Sequence, residues 1–186
     1  MKLYISKIMA VAALAATLAL NAADAGSTAG CVDFGKFTPP SSGGEFVEVN
    51  IKNNLISMVA KLVEKQEPQV AEMIRGLQMI RVNVIAMKED NRKEILDRVE
   101  SIRTQLDKLG WEQLVTVQNG KDNVRVSIKT KGDEAVEGLV VTVIGEDKQA
   151  VFVNIVGNLR PDKIALIAEK FNIEPLKKAA EAIKTN

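Results

Sequence analysis

Three adjacent carboxylate pairs are the residues of this 186-residue chain best suited to chemistry: Glu89-Asp90, Asp133-Glu134 and Glu146-Asp147. Neighbouring carboxyl groups can divide general acid from general base, or ligate calcium through oxygen. On that reading the protein is a hydrolase working with carboxylates alone. Each pair, however, falls at a predicted turn or helix start, where acidic side chains cap backbone N–H groups and solvate the turn. The chain has no histidine and one cysteine, Cys31. The commonest general base and metal ligand are therefore missing, and zinc sites of ordinary composition are excluded. No G-x-S-x-G, G-x-x-x-x-G-K-[ST] or G-x-G-x-x-G run occurs, so neither a nucleophile elbow nor a phosphate loop is expected. The sequence assigns no catalytic, cofactor-binding or metal residue, and no cofactor.

Two weaker candidates remain. Gly157 to Lys163 (GNLRPDK) precedes a helical pattern, and Gly157, Arg160 and Lys163 could hold an anion at the helix start. The same residues would serve any strand-to-helix turn. Cys31 closes the run Thr28-Ala29-Gly30-Cys31, whose last three residues suit bacterial lipid attachment, although Thr28 stands where such a motif prefers Leu. A lone cysteine is equally a free or intermolecularly paired thiol.

The amino terminus sets the compartment. Lys2 and Lys7 precede the apolar run Ile8 to Leu20, and small residues follow to Ala23-Asp24-Ala25. This is the pattern of a secretory signal peptide cleaved between Ala25 and Gly26. The apolar run is shorter than the roughly 20 residues that span a bilayer. The chain is thus expected in the periplasm or cell envelope, touching membrane only through a lipid anchor if Cys31 carries one. Lys and Arg number 25 and Asp and Glu 24, a balance without the basic footprint of a nucleic-acid binder. Tyr4 leaves with the leader, and Trp111 with five Phe is little from which to build a sugar-stacking groove.

Residues 1–25 therefore read as leader and 26–44, rich in Gly, Ser and Pro, as a flexible linker which Phe34 and Phe37 interrupt as residues able to dock on the domain. Residues 45–186 read as one domain. Phe46 to Ile51 alternates as a strand. Asn53 or Asn54 then caps a helix striped by Leu55, Met58, Val59, Leu62 and Val63. Pro68 opens a second helix that ends near Gly76. Ile80 to Ala86 returns to period two, and Asp90 caps a long helix closed by Gly110. From Trp111 to Val156 the pattern is an antiparallel meander, with Asn119-Gly120 a hairpin signal. Leu139 to Ile144 and Ala150 to Val156 are apolar on both faces, which places them centrally in a covered sheet. A helix from Pro161 and a last amphipathic piece from Pro175 to Lys184 complete the chain. The expected fold is α+β: an antiparallel sheet of five or six strands with helices packed mainly on one face.

Val49 to Leu55 (VNIKNNL) and Val153 to Leu159 (VNIVGNL) agree at all but their fourth and fifth residues. Either a strand-turn-helix unit is duplicated, or apolar strands before Asn-rich caps look alike by necessity. Gly110-Trp111-Glu112-Gln113-Leu114-Val115, VFVNIVGNL and Glu169-Lys170-Phe171-Asn172-Ile173 resemble an uncharacterised bacterial family, domain of unknown function 4252. The resemblance covers most of residues 45 to 175 and carries over no catalytic residues. It implies an exported protein, often a predicted lipoprotein, and an association of some members with stress-type sigma-factor operons. The leading expectation is a non-enzymatic envelope protein binding an envelope protein or a small ligand. The alternatives are an envelope-stress or signalling accessory and the carboxylate hydrolase.

Overall fold

The computed structural model describes residues 29–118, 122–132, 135–145 and 148–159. Six strands form one antiparallel sheet: β1 (Phe46–Lys52), β2 (Leu77–Ala86), β3 (Glu112–Gln118), β4 (Asn123–Lys131), β5 (Ala135–Ile144) and β6 (Gln149–Leu159). Their order is β1-β2-β6-β5-β4-β3, so the two strands apolar on both faces, β5 and β6, lie in the middle. Three helices are described: α1 (Asn53–Val63), α2 (Pro68–Arg75) and α3 (Arg92–Lys108). The meander from β3 to β6 is antiparallel throughout, as its turns and alternation predict.

Alternation along the strands feeds two cores. Val49, Val82, Val84, Val126, Leu139, Val141 and Val151 share one with Ile56 of α1 and Met73 of α2. Ile85, Val140, Ala150 and Phe152 share the other with Ile95, Ile102 and Leu106 of α3 and with Trp111. Two of the three described helices thus lie on one face, and the longest lies on the other. Because α3 covers the second face, the polar side of β4 is largely withdrawn from solvent, with Arg125 and Lys129 half-buried. Ser127 is buried, and burial, reinforced by Arg103, lowers the pKa of Arg125 below the usual arginine value.

In α1 the apolar face is rotated from the expected stripe. Ile56 and Ala60 face the core, whereas Met58 and Leu62 are 55% and 76% exposed. The small Ala60, one turn from Ile56, lets the helix approach the sheet closely, and the larger Met58 and Leu62 point outward. Asp90 does not cap α3. Asn91 holds the N-cap position without a side-chain bond into the helix. Its amide instead accepts from Lys88 N–H at 2.7 Å and donates to the Ala86 carbonyl at 3.0 Å. Gly110, at φ +67°, ends the helix as expected.

The echoed heptapeptides occupy matching levels of the sheet. Val49 and Val153 flank Val82 from opposite sides, and Ile51 and Ile155 flank Ile80. Their turns diverge. Asn53 begins α1, but β6 continues through Asn158 to Leu159. The helices expected from Pro161 and from Pro175 lie outside the described residues, as does Asn119-Gly120.

The largest departure from the composition is in the segment assigned to a linker. Ala29 to Phe37 lies as a strap across the second sheet face, with Val32 and Phe34 fully buried. Phe34 and Phe37 both pack on Phe152, at ring centroid distances of 5.8 and 4.8 Å. Full burial of a Val or a Phe contributes about 1.5–3 kcal/mol each. Phe34 and Phe37 dock as their place in the linker suggests, whereas an average over a Gly/Ser/Pro-rich window conceals Val32.

Candidate functional site

Of the sequence candidates, Glu89, Asp90, Gly157 and Cys31 fall among the described residues. Asp90 is fully exposed and accepts a hydrogen bond from the Ser41 hydroxyl, which holds its carboxyl below the usual range. A general acid needs the opposite shift. Asp133, Glu134, Glu146 and Asp147 lie outside the described residues, as do Arg160 and Lys163 of the anion candidate. Gly157 is a strand residue of β6 instead of a turn residue. Its partner across the sheet is Leu77, and a Cβ on it would stand 2.4 Å from the Gly76 carbonyl oxygen. Its φ of +155° likewise favours glycine. The Gly157 backbone is therefore committed to the β2–β6 ladder. Ala25 and Gly26 lie outside the described residues.

The polar cluster that the fold does assemble is beneath the strap. Asn154 of β6 is fully buried among apolar neighbours. Its Oδ1 accepts from Val32 N–H at 2.9 Å, and its Nδ2 donates to the Gly30 and Leu139 carbonyls at 3.0 and 3.2 Å. The amide thereby grips the chain on both sides of Cys31 and ties it to β5. Both of its N–H donors and its oxygen are used, which is what a buried amide requires.

Directly across the β2–β6 ladder from Asn154, Arg81 of β2 donates through Nη2 to the Gly35 carbonyl at 3.1 Å. Its Nη1 lies 3.5 Å from Asp33, and its guanidinium stacks over the Phe34 ring at 5.7 Å. Asp33 Oδ1 in turn accepts from Gly35 N–H at 2.8 Å, which turns the strap toward Phe37. Burial raises the pKa of the Cys31 thiol, an effect that Arg81 partly opposes. Arg81 Nε and both amide atoms of Asn83, its neighbour on the same face of β2, have no hydrogen-bond partner among the described residues.

None of these residues stands out by motif, and sequence reasoning passed over them. The available signal was polarity inside an apolar strand: Asn154 in AVFVNIV, and Arg81 and Asn83 alternating with Ile80, Val82 and Val84. Chemically the cluster is a clamp for extended backbone. It presents amide and guanidinium groups to main-chain atoms.

Elsewhere the surface is shallow. The depressions found run along the outer side of α3, lined by residues such as Lys93, Asp97, Arg98 and Ser101. Among the described residues no three His, Cys, Asp or Glu are grouped to hold a metal ion. None of the described helices is long and apolar enough to cross a membrane. Among the described residues the exposed large apolar side chains are Met58 and Leu62 on α1, Leu96 on α3 and Leu109 just after it.

No curated protein and no solved structure matches the chain. The family match begins at residue 42, so the strap that supplies Val32 and Phe34 to the core precedes it. Residues 42–167, more than half of the chain, match the family described as Domain of unknown function (DUF4252), and the chain belongs to that family.

Proposed function

We propose that the chain is an exported cell-envelope protein that acts by binding a partner protein through its surface. The observation that supports this is the Met58–Leu62 pair. These side chains sit one helical turn apart on the outer side of α1 and are the two most exposed large apolar residues among the described residues. Scattered apolar residues on a surface need no explanation, but a pair in register on a helix forms a ridge that an apolar groove can receive. Lys61 and Lys65 lie close by in sequence, so the ridge has a polar border. The leader Lys2 to Ala25 supports export.

The test is covalent cross-linking in cells followed by recovery of partners from envelope fractions. It compares the natural chain with a Met58→Glu/Leu62→Glu variant of unchanged thermal stability. Loss of a specific cross-linked partner in the variant supports the reading, whereas an identical partner set in both would sink it. Recovery of the natural chain only from the cytoplasmic fraction would remove the envelope role.

A further inference from the structure

We infer that the peptide bond between Gly30 and Cys31 is retained in the mature protein, so that any leader is removed upstream of Gly30 and Cys31 keeps a free thiol. The inference rests on the export reading only for the existence of a leader. Lipid attachment would form a thioether at Cys31 Sγ and cut the chain between Gly30 and Cys31, making Cys31 the first residue. Simple signal-peptide cleavage after Ala25 would leave Gly30 in place. The two routes therefore differ in whether the folded domain contains Gly30.

Gly30 is built into the sheet. Its carbonyl accepts from Nδ2 of Asn154, a side chain with no exposed surface. Its backbone meets Gly138 of β5 so closely that a Cβ on Gly138 would stand 2.6 Å from Gly30 Cα and 2.6 Å from the Trp111 ring. A Cβ on Gly30 itself would stand 2.1 Å from the Glu137 carbonyl oxygen, and its φ of +85° is one that L side chains rarely adopt. Two glycines thus face each other across a contact that only bare backbone can make, with Trp111 closing one side. Cutting at Cys31 would take away one wall of that contact and one acceptor of the Asn154 clamp. Processing precedes folding, so these contacts do not block the cut. They show that the domain is shaped around a residue which lipid attachment would discard.

The other side of Cys31 gives the same answer. Val32 is fully buried, and its N–H is bound by Asn154. A lipid on Cys31 would therefore have no slack between it and the folded domain, unlike an anchor at the end of a mobile tether.

The test expresses the full chain in a bacterium with an intact lipoprotein pathway. Intact mass and the amino-terminal peptide are then measured on the purified protein, before and after maleimide labelling in denaturant. A start between Gly26 and Gly30, with one maleimide added at Cys31, supports the inference. A start at Cys31 carrying a diacylglyceryl group overturns it. A chain still beginning at Met1 with a free thiol supports retention of Gly30 while sinking the export reading, so the two fail separately. As a second readout, Cys31→Ser should leave membrane partitioning unchanged. Its release from the membrane fraction into the soluble fraction would overturn the inference.

Discussion

Replacing Asn154 by Ala should detach the strap and leave the rest of the sheet standing. The substitution removes three hydrogen bonds, of 2.9, 3.0 and 3.2 Å, to Val32 N–H and to the Gly30 and Leu139 carbonyls. An intramolecular hydrogen bond contributes about 0.5–1.5 kcal/mol net, and each buried partner left unsatisfied costs about 1–3 kcal/mol. Partial release of the strap lets water reach some of the orphaned groups, so the sum is not reached. We expect a loss of about 2–4 kcal/mol. In a chain of this size each kcal/mol moves the melting midpoint by about 2–4 °C. Thermal melts followed by circular dichroism, with urea midpoints at constant slope, measure it directly. Asn154→Asp is the informative control. It keeps an acceptor for Val32 N–H but turns an oxygen toward the two carbonyls, so it should destabilise at neutral pH and recover as acid protonates it. A cycle pairing Asn154→Ala with a chain that begins at Cys31 should be non-additive, because both changes break the same contact. A loss below about 1 kcal/mol, or strict additivity, would refute the idea that the buried amide holds the strap.

Gly138→Ala should displace the strap by overlap, since its Cβ would meet both Gly30 and Trp111. Fluorescence of Trp111, the single tryptophan, should shift to the red, and an unshifted spectrum would contradict the contact. Cys31 should react slowly with iodoacetamide in the folded state. Because burial raises its pKa, the rate should climb at higher pH than for an unfolded thiol, and equal profiles would argue against a half-buried thiol. Met58→Glu/Leu62→Glu should change stability by no more than about 0.5 kcal/mol, since both side chains are exposed, and a larger loss would place them in a packed contact. The Ser41–Asp90 bond lowers the carboxyl's pKa in the folded state. Its stabilisation is therefore present above the unfolded value and is lost as pH falls through the folded one. Ser41→Ala should flatten that part of the acid titration of stability, and an unchanged titration would show that the bond contributes nothing.

Where a pattern reports burial directly, the sequence is legible. β5 and β6 are central because both of their faces are apolar, and the sheet order requires a cover on each side. The phase of α1 was not legible, because hydrophobic size and burial part company there. Ala60 is small and buried, whereas Leu62 is large and exposed. In the strap Phe34 and Phe37 were legible as docking residues, but Val32 was obscured by a window whose other residues favour disorder. Asn154 could have been suspected as a polar residue in an apolar strand. Its partners, 122 and 124 residues away, could not have been named from spacing. Gly157 looked like turn chemistry, yet its requirement is tertiary: it must pass against Gly76.

The pairing of the strap with β6 also sets an order of events for a chain made from its amino terminus. Val32 and Phe34 are among the first domain residues to emerge, and their partners Asn154 and Phe152 are on the last described strand. A chain halted anywhere before β6 holds both anchors with nowhere to bury them. Local hairpins such as β3–β4 can form early, but the two ends meet only after most of the chain has been synthesised. The strap therefore locks only once β6 is in place, and until then Val32 and Phe34 lack the partners that bury them.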